Sequence, residues 1–183
     1  PMKKMEGSYL SGDKEGIWTK WYANGSRKEE SNFKTGKLNG SITKWYESGT
    51  KSEEGNYDNG KQNGKWVWYW ESGIKKEVTV FMDGQQEGLW TTWYEDGTKK
   101  SERKFSNGER DSVWTTWYKD GNKKFQATYS NGKLNGSWTS WYSGGIVKEK
   151  TGFYLNNQLD KKWTHWSENG QKTKIVTYNN GLK

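Results

Sequence analysis

The chain of 183 residues has no cysteine, a single histidine and a single proline, and only 29% of its residues are apolar. Without cysteine there is no disulfide and no thiolate-bound metal, a state that fits either side of a bacterial membrane. Leu, Ile and Val together supply just 18 side chains and the mean hydropathy is -1.29, values that alone would suit a disordered chain. No apolar run is long enough for a membrane helix, and Met2-Lys3-Lys4-Met5-Glu6 is not followed by a leader-like segment. The expected location is cytoplasmic if Met2 is the native start, and exported if a leader preceded Pro1.

What the chain does have is aromatic surface: 14 Trp, 11 Tyr and 5 Phe. Each ring can bury roughly 150–250 Å², so the apolar area sits in a few rigid groups and a folded chain is expected. The rings recur. Trp18, Trp66, Trp90, Trp114 and Trp138 are separated by multiples of 24 residues, with Ile42 in the one gap and Trp163 one residue late. A second series follows at Trp21, Trp45, Tyr69, Trp93, Trp117, Trp141 and Trp166. Seven copies fit, at about 7–30, 31–54, 55–78, 79–102, 103–126, 127–151 and 152–183. They are expected to form one repeat domain over 1–183, in which neighbouring copies replace a central core.

Each copy carries two turn signals. The first is Asn24-Gly25 and its equivalents to Asn169-Gly170; the second is Thr35-Gly36 and its equivalents to Asn180-Gly181, with Asn156-Asn157 once replacing the glycine. A third Gly, as at Gly16, Gly40, Gly64, Gly88 and Gly136, is expected to open the next strand, and is replaced by Ser112 and Lys161. Between the turns lie Trp-, Thr- and Tyr-rich segments without helical periodicity, so each copy reads as one hairpin, with strand A over Ile17 to Tyr22 and strand B over Arg27 to Phe33. The fold expected is all-β: an elongated antiparallel meander of about 14 strands from seven 24-residue hairpins, a single twisted or coiled sheet.

Alternation puts Trp18, Lys20 and Tyr22 on one face and Thr19 and Trp21 on the other. A two-residue turn at Asn24-Gly25 sets Ser31 opposite Trp18 and Phe33 opposite Gly16; a three-residue loop would shift the pairing.

The pattern G-x-W-T-x-W-Y-x-x-G-x-K-x-x-x-x-x-F-x-N-G-K-x-x-G, seen in Asn131-Gly132-Lys133-Leu134-Asn135-Gly136 and Trp93-Tyr94-Glu95-Asp96-Gly97, resembles the MORN repeat in its bacterial variant form. The resemblance covers about Gly7 to Lys183. It departs at Ile42, at Trp66-Val67-Trp68-Tyr69-Trp70, at Ser112 and at the insertion between Gly145 and Tyr154. It implies a non-enzymatic module for protein association, sometimes for lipid contact, and bacterial members are antitoxin-like.

Nothing in the residues asks for a cofactor or an active site. His165 occupies a position held elsewhere by Lys20, Thr92, Thr116 and Ser140, which marks it as exposed surface. Acid pairs such as Glu29-Glu30 and Glu53-Glu54 lie beside Arg27, Lys28 and Lys51 and read as cross-strand charge pairs. No phosphate loop, nucleophile elbow or zinc spacing occurs.

Binding is the remaining class. The first reading is a protein-binding scaffold: the face of Trp18, Tyr22, Trp66, Trp90, Tyr94, Trp114, Tyr118 and Trp138 would expose too much aromatic surface for a monomer, so curling, self-association or a partner is expected to cover it. The alternative is a glycan laid along Trp21, Trp45, Tyr69, Trp93, Trp117, Trp141 and Trp166, with Thr91, Thr115 and Thr139 hydroxyls beside the rings. These rings would recur every 9–10 Å or so. A row of lysines beside them could meet nucleic acid, but Glu30, Glu47, Glu54, Glu71, Glu77, Glu95 and Glu102 argue against it. Membrane binding is weakened by the lack of an amphipathic helix.

Overall fold

The computed structural model describes residues 4–183, which hold 15 β-strands and no helix. They divide into two compact units, residues 4–87 with 95–97 and residues 88–94 with 98–183. The first contains β1 (Met5–Leu10), β2 (Asp13–Trp21), β3 (Arg27–Lys34), β4 (Lys37–Trp45), β5 (Lys51–Asp58), β6 (Lys61–Tyr69) and β7 (Lys75–Met82). The second takes β8 (Gln85–Trp93) from Gly88, then β9 (Lys99–Ser106), β10 (Glu109–Trp117), β11 (Lys123–Ser130), β12 (Lys133–Trp141), β13 (Lys148–Leu155), β14 (Gln158–Trp166) and β15 (Lys172–Tyr178). Within each unit the strands pair antiparallel in chain order, the expected meander. The strand beyond the expected number is β1, which repeats the B strand ahead of the first hairpin: Tyr9 stands where Phe33 and Tyr57 stand later.

Strand A is longer than expected and ends earlier. It runs from Asp13 to Trp21, so Tyr22 falls in the turn and Gly16 lies inside the strand. Gly16 has φ +70 where β2 bulges, and Ser112 and Lys161 take φ 57 and 58 at the same position. Residues other than glycine therefore bear a backbone conformation that favours it.

The first turn closes with three loop residues instead of two: the Tyr22 N–H donates to Ser26 O at 2.9 Å and the Gly25 N–H to Tyr22 O at 3.0 Å. The register survives because β3 bulges. Trp21 pairs with Arg27 and Lys20 with Glu29, leaving Lys28 as the extra residue. Trp18 then meets Ser31 and Gly16 meets Phe33, as expected, since one bulge cancels the one-residue shift. The second turn is a two-residue type with both residues at positive φ, 46 for Thr35 and 75 for Gly36, between Lys34 and Lys37.

Hydrogen bonds outside the ladders tie successive hairpins together at both rims. At the second turns, Gly36, Gly60, Gly84, Gly132 and Asn157 donate their N–H to a carbonyl of the previous repeat at 2.7–3.0 Å, and Gly181 donates to Leu159 O at 2.8 Å within the last. At the first turns, the hydroxyls of Tyr22 and Tyr46 in one unit, and of Tyr94, Tyr118 and Tyr142 in the other, donate to a carbonyl of the next repeat at 2.7–2.9 Å.

Candidate interaction surface

Part of the Trp18 series is covered within the sheet itself. Trp18, Trp66 and Trp163 are buried, at 4%, 0% and 5% exposure. Each lies across a glycine of the preceding strand: a Cβ at Gly7, Gly55 or Gly152 would stand 2.1–2.2 Å from the indole. Over glycine the ring reaches the backbone, and Trp18, Trp66 and Trp163 donate Nε1–H to Ser8 O, Asn56 O and Phe153 O at 3.1–3.2 Å. Edge-on rings close the sides, Tyr9 and Phe33 around Trp18, Tyr57 and Phe81 around Trp66.

Trp90, Trp114 and Trp138 depart from this pattern. Trp114 faces Arg103 and Ala127 on its two sides, its Nε1–H has no acceptor, and the Arg103 and Arg110 guanidinium groups stack on it at 4.5 and 4.6 Å. Trp90, also half-buried with Nε1–H unpaired, has Arg103 over its ring at 5.2 Å. Trp138 is half-buried against Phe125 and Trp163. Tyr22, Tyr94 and Tyr118 serve as the inter-repeat ties described above, and Lys28, Lys100 and Lys124 lie over their rings at 5.3–5.6 Å.

The Trp21 series is half-buried throughout: Trp21, Trp45 and Tyr69 in the first unit, Trp93, Trp117, Trp141 and Trp166 in the second. Arg27, Lys99 and Lys123 lie over Trp45, Trp117 and Trp141 at 5.3–5.9 Å. Thr91 and Thr139 are half-buried; Thr115 is buried and its Oγ1 accepts from Gln126 Nε2 at 3.1 Å. Tyr69 donates its hydroxyl to Glu54 Oε1 at 2.5 Å, and burial followed by that carboxylate pushes its pKa up to about 12. His165 is half-buried where Lys150 and Lys174 pair across from it, and burial with those two ammonium groups holds its pKa below the ordinary value.

On the Thr19 and Trp21 face stand Ile17 and Val80 in the first unit and Leu89, Val113 and Ile175 in the second, all 40–58% exposed. These aliphatics were not singled out in the sequence, because they occupy varying positions of the repeat that elsewhere carry Ser41, Lys65, Asn56 or Glu54. Among the described residues no cluster of His, Asp or Glu could hold a metal, and no helix is long and apolar enough to cross a membrane.

A chain of successive antiparallel hairpins, tied at both rims and built on one aromatic repeat, is a β-meander repeat protein. The family model described as "MORN repeat variant" matches residues 14–35, 38–59, 86–107, 110–131 and 159–180, more than half the chain. The chain belongs to the MORN repeat variant family. The unmatched stretches hold the Trp-rich Trp66–Trp70 run and the insertion after Gly145, two of the departures named above. No curated protein matches the chain. MORN repeats are in general modules for protein or membrane interaction, not catalysts.

Proposed function

We propose that the chain is a non-catalytic scaffold that docks a protein partner on the face of the second unit carrying Thr115 and Trp117, the counterparts of Thr19 and Trp21. The observation that supports this reading is the set of exposed aliphatics on that face of the second unit: Leu89, Val113 and Ile175 lie there, where a solvated antiparallel sheet would alternate to polar residues. On the other face of that unit Gly152 lies beneath Trp163, and Arg103, Arg110 and Phe125 pack on Trp90, Trp114 and Trp138. An antitoxin-like role would be one case of such docking, with the partner a toxin.

The glycan alternative has less support, because cations already occupy the ring faces of Trp45, Trp117 and Trp141. Binding of a linear polysaccharide that disappears in Trp93→Ala plus Trp117→Ala would restore it.

A photo-crosslinking residue placed at Val113, and in parallel at exposed Lys174 on the other face of the same unit, tests the docking face. Val113 is expected to give a discrete protein adduct that unlabelled chain competes away. The same adduct from Lys174, or none from Val113, would overturn the reading.

A further inference from the structure

The net charge of +8 is not spread along the chain. Residues 1–87 with 95–97 hold 14 Lys and Arg against 15 Asp and Glu, and residues 88–94 with 98–183 hold 16 against 7, which gives -1 and +9. A local cause is visible at one repeat position. Arg27 reaches Glu30 at 3.6 Å, Lys51 reaches Glu54 at 2.8 Å and Lys99 reaches Glu102 at 2.8 Å, pairs that the bulge after the first turn brings to the same side. The acid is missing once in the first unit, where Val78 follows Lys75, and in every one of the last three repeats. Lys123 is followed by Gln126, Lys148 by Thr151 and Lys172 by Ile175.

These three lysines are exposed, and no carboxylate lies within ion-pair distance of any of them. They stand opposite Trp117, Trp141 and Trp166 in the ladders. Exposed Val113 and Ile175 share the face. Of the acids in the neighbourhood, Glu102 stands opposite Thr115 and is paired with Lys99, Glu149 beside Lys148 is paired with Lys150 and accepts from the Ser140 hydroxyl, and the others lie at the rims: Asp120 and Glu168 in first turns, Asp111 and Asp160 toward the second turns. Successive lysines lie two strands apart, about 9–10 Å. A polyproline-II segment places every third residue on one side at about 9.3 Å, so acids at that spacing would meet all three.

We propose that β10 to β15 dock an acidic, extended segment of the protein partner, its carboxylates on Lys123, Lys148 and Lys172 and its apolar residues on Val113 and Ile175. The inference rests on the docking reading above and adds the chemistry of the partner. Nucleic acid shares the charge but needs open stacking platforms, whereas Lys99 and Lys123 cover Trp117 and Trp141.

Fluorescence anisotropy of the full chain with labelled (Glu-Pro-Leu) repeated four times, its Gln-Pro-Leu counterpart and a twelve-base oligo-dT, over a range of salt, tests this. The Glu peptide is expected to bind best and to weaken with salt. The triple variant Lys123→Ala, Lys148→Ala, Lys172→Ala should bind it roughly tenfold less well. The triple Lys28→Ala, Lys51→Ala, Lys75→Ala should change it less than about twofold. Unfolding midpoints followed by tryptophan fluorescence establish that both triples are folded. Equal binding of the Glu and Gln peptides, tighter binding of oligo-dT, or equal weakening in the two triples would overturn the proposal. Any of these with the Val113 cross-link intact removes the acidic-segment inference alone; loss of the cross-link removes the docking reading as well.

Discussion

Trp66 lies flat on Gly55: a Cβ at that glycine would sit 2.2 Å from Cδ2 of the indole, whose Nε1–H donates to Asn56 O at 3.1 Å. The same arrangement recurs for Trp18 on Gly7 and Trp163 on Gly152. Of the 23 glycines, 20 have positive φ, and these three are the ones that do not. They serve by lacking a side chain, the others by bending the chain.

Gly55→Ala should therefore displace Trp66 and break its hydrogen bond, at a cost of roughly 2–4 kcal/mol. Urea unfolding followed by tryptophan emission measures it. A midpoint unchanged from wild type would show that the close approach does not hold the ring.

The Tyr118 hydroxyl donates to Trp141 O at 2.7 Å across one repeat. Tyr118→Phe keeps the ring under Lys124 and removes only that tie, so a loss of about 1 kcal/mol is expected. Amide exchange should rise around the first turns on both sides of the lost bond. Exchange confined to Tyr118 itself would argue that the hydroxyls do not couple repeats.

Thr35 holds φ 46, a left-handed conformation that a β-branched residue adopts only under strain. The equivalent turns carry Asn59, Asn107 and Asn131. Thr35→Asn is expected to raise stability by about 0.5–1 kcal/mol, and Asn59→Thr to lower it comparably. Thermal unfolding of the two variants, moving in opposite directions, checks the assignment.

Burial and the hydrogen bond to Glu54 raise Tyr69 to about 12, while hydrogen bonds from Lys51 and then Tyr69 lower Glu54. A raised tyrosine favours the fold fully below its unfolded value near 10, and that part is lost as pH climbs through 12. A lowered carboxylate contributes above its unfolded value near 4.3, and that part is lost as pH falls through the lower folded value. Both contributions are complete between roughly pH 4.3 and 10. In ¹³C-tyrosine spectra, Glu54→Gln should move the Tyr69 midpoint down without restoring the ordinary value, because burial remains; an unmoved midpoint would exclude the Glu54 contact.

The repeat, the hairpins, the turn sites and the Trp18–Ser31 register were all legible in the sequence. They follow from local rules: glycine and asparagine mark positive φ, alternation sets the face, and a period of 24 fixes the neighbours. The bulge at Lys28 was not legible, because its effect on register is cancelled by a loop one residue longer than expected. How the Trp18 series is covered was not legible for a different reason. Counting rings on a face ignores the depth at which each one lies.

The sequence by itself determined that this chain is a tandem β-meander, since strand and turn propensities act between residues close in the chain. Only the tertiary structure decided which rings are core and which surface is free. Whether an indole sinks onto the sheet depends on the side chain that a neighbouring strand puts beneath it, glycine under Trp66 but arginine and alanine beside Trp114. Whether a lysine is neutralised depends on a bulge that brings residues three apart to one side.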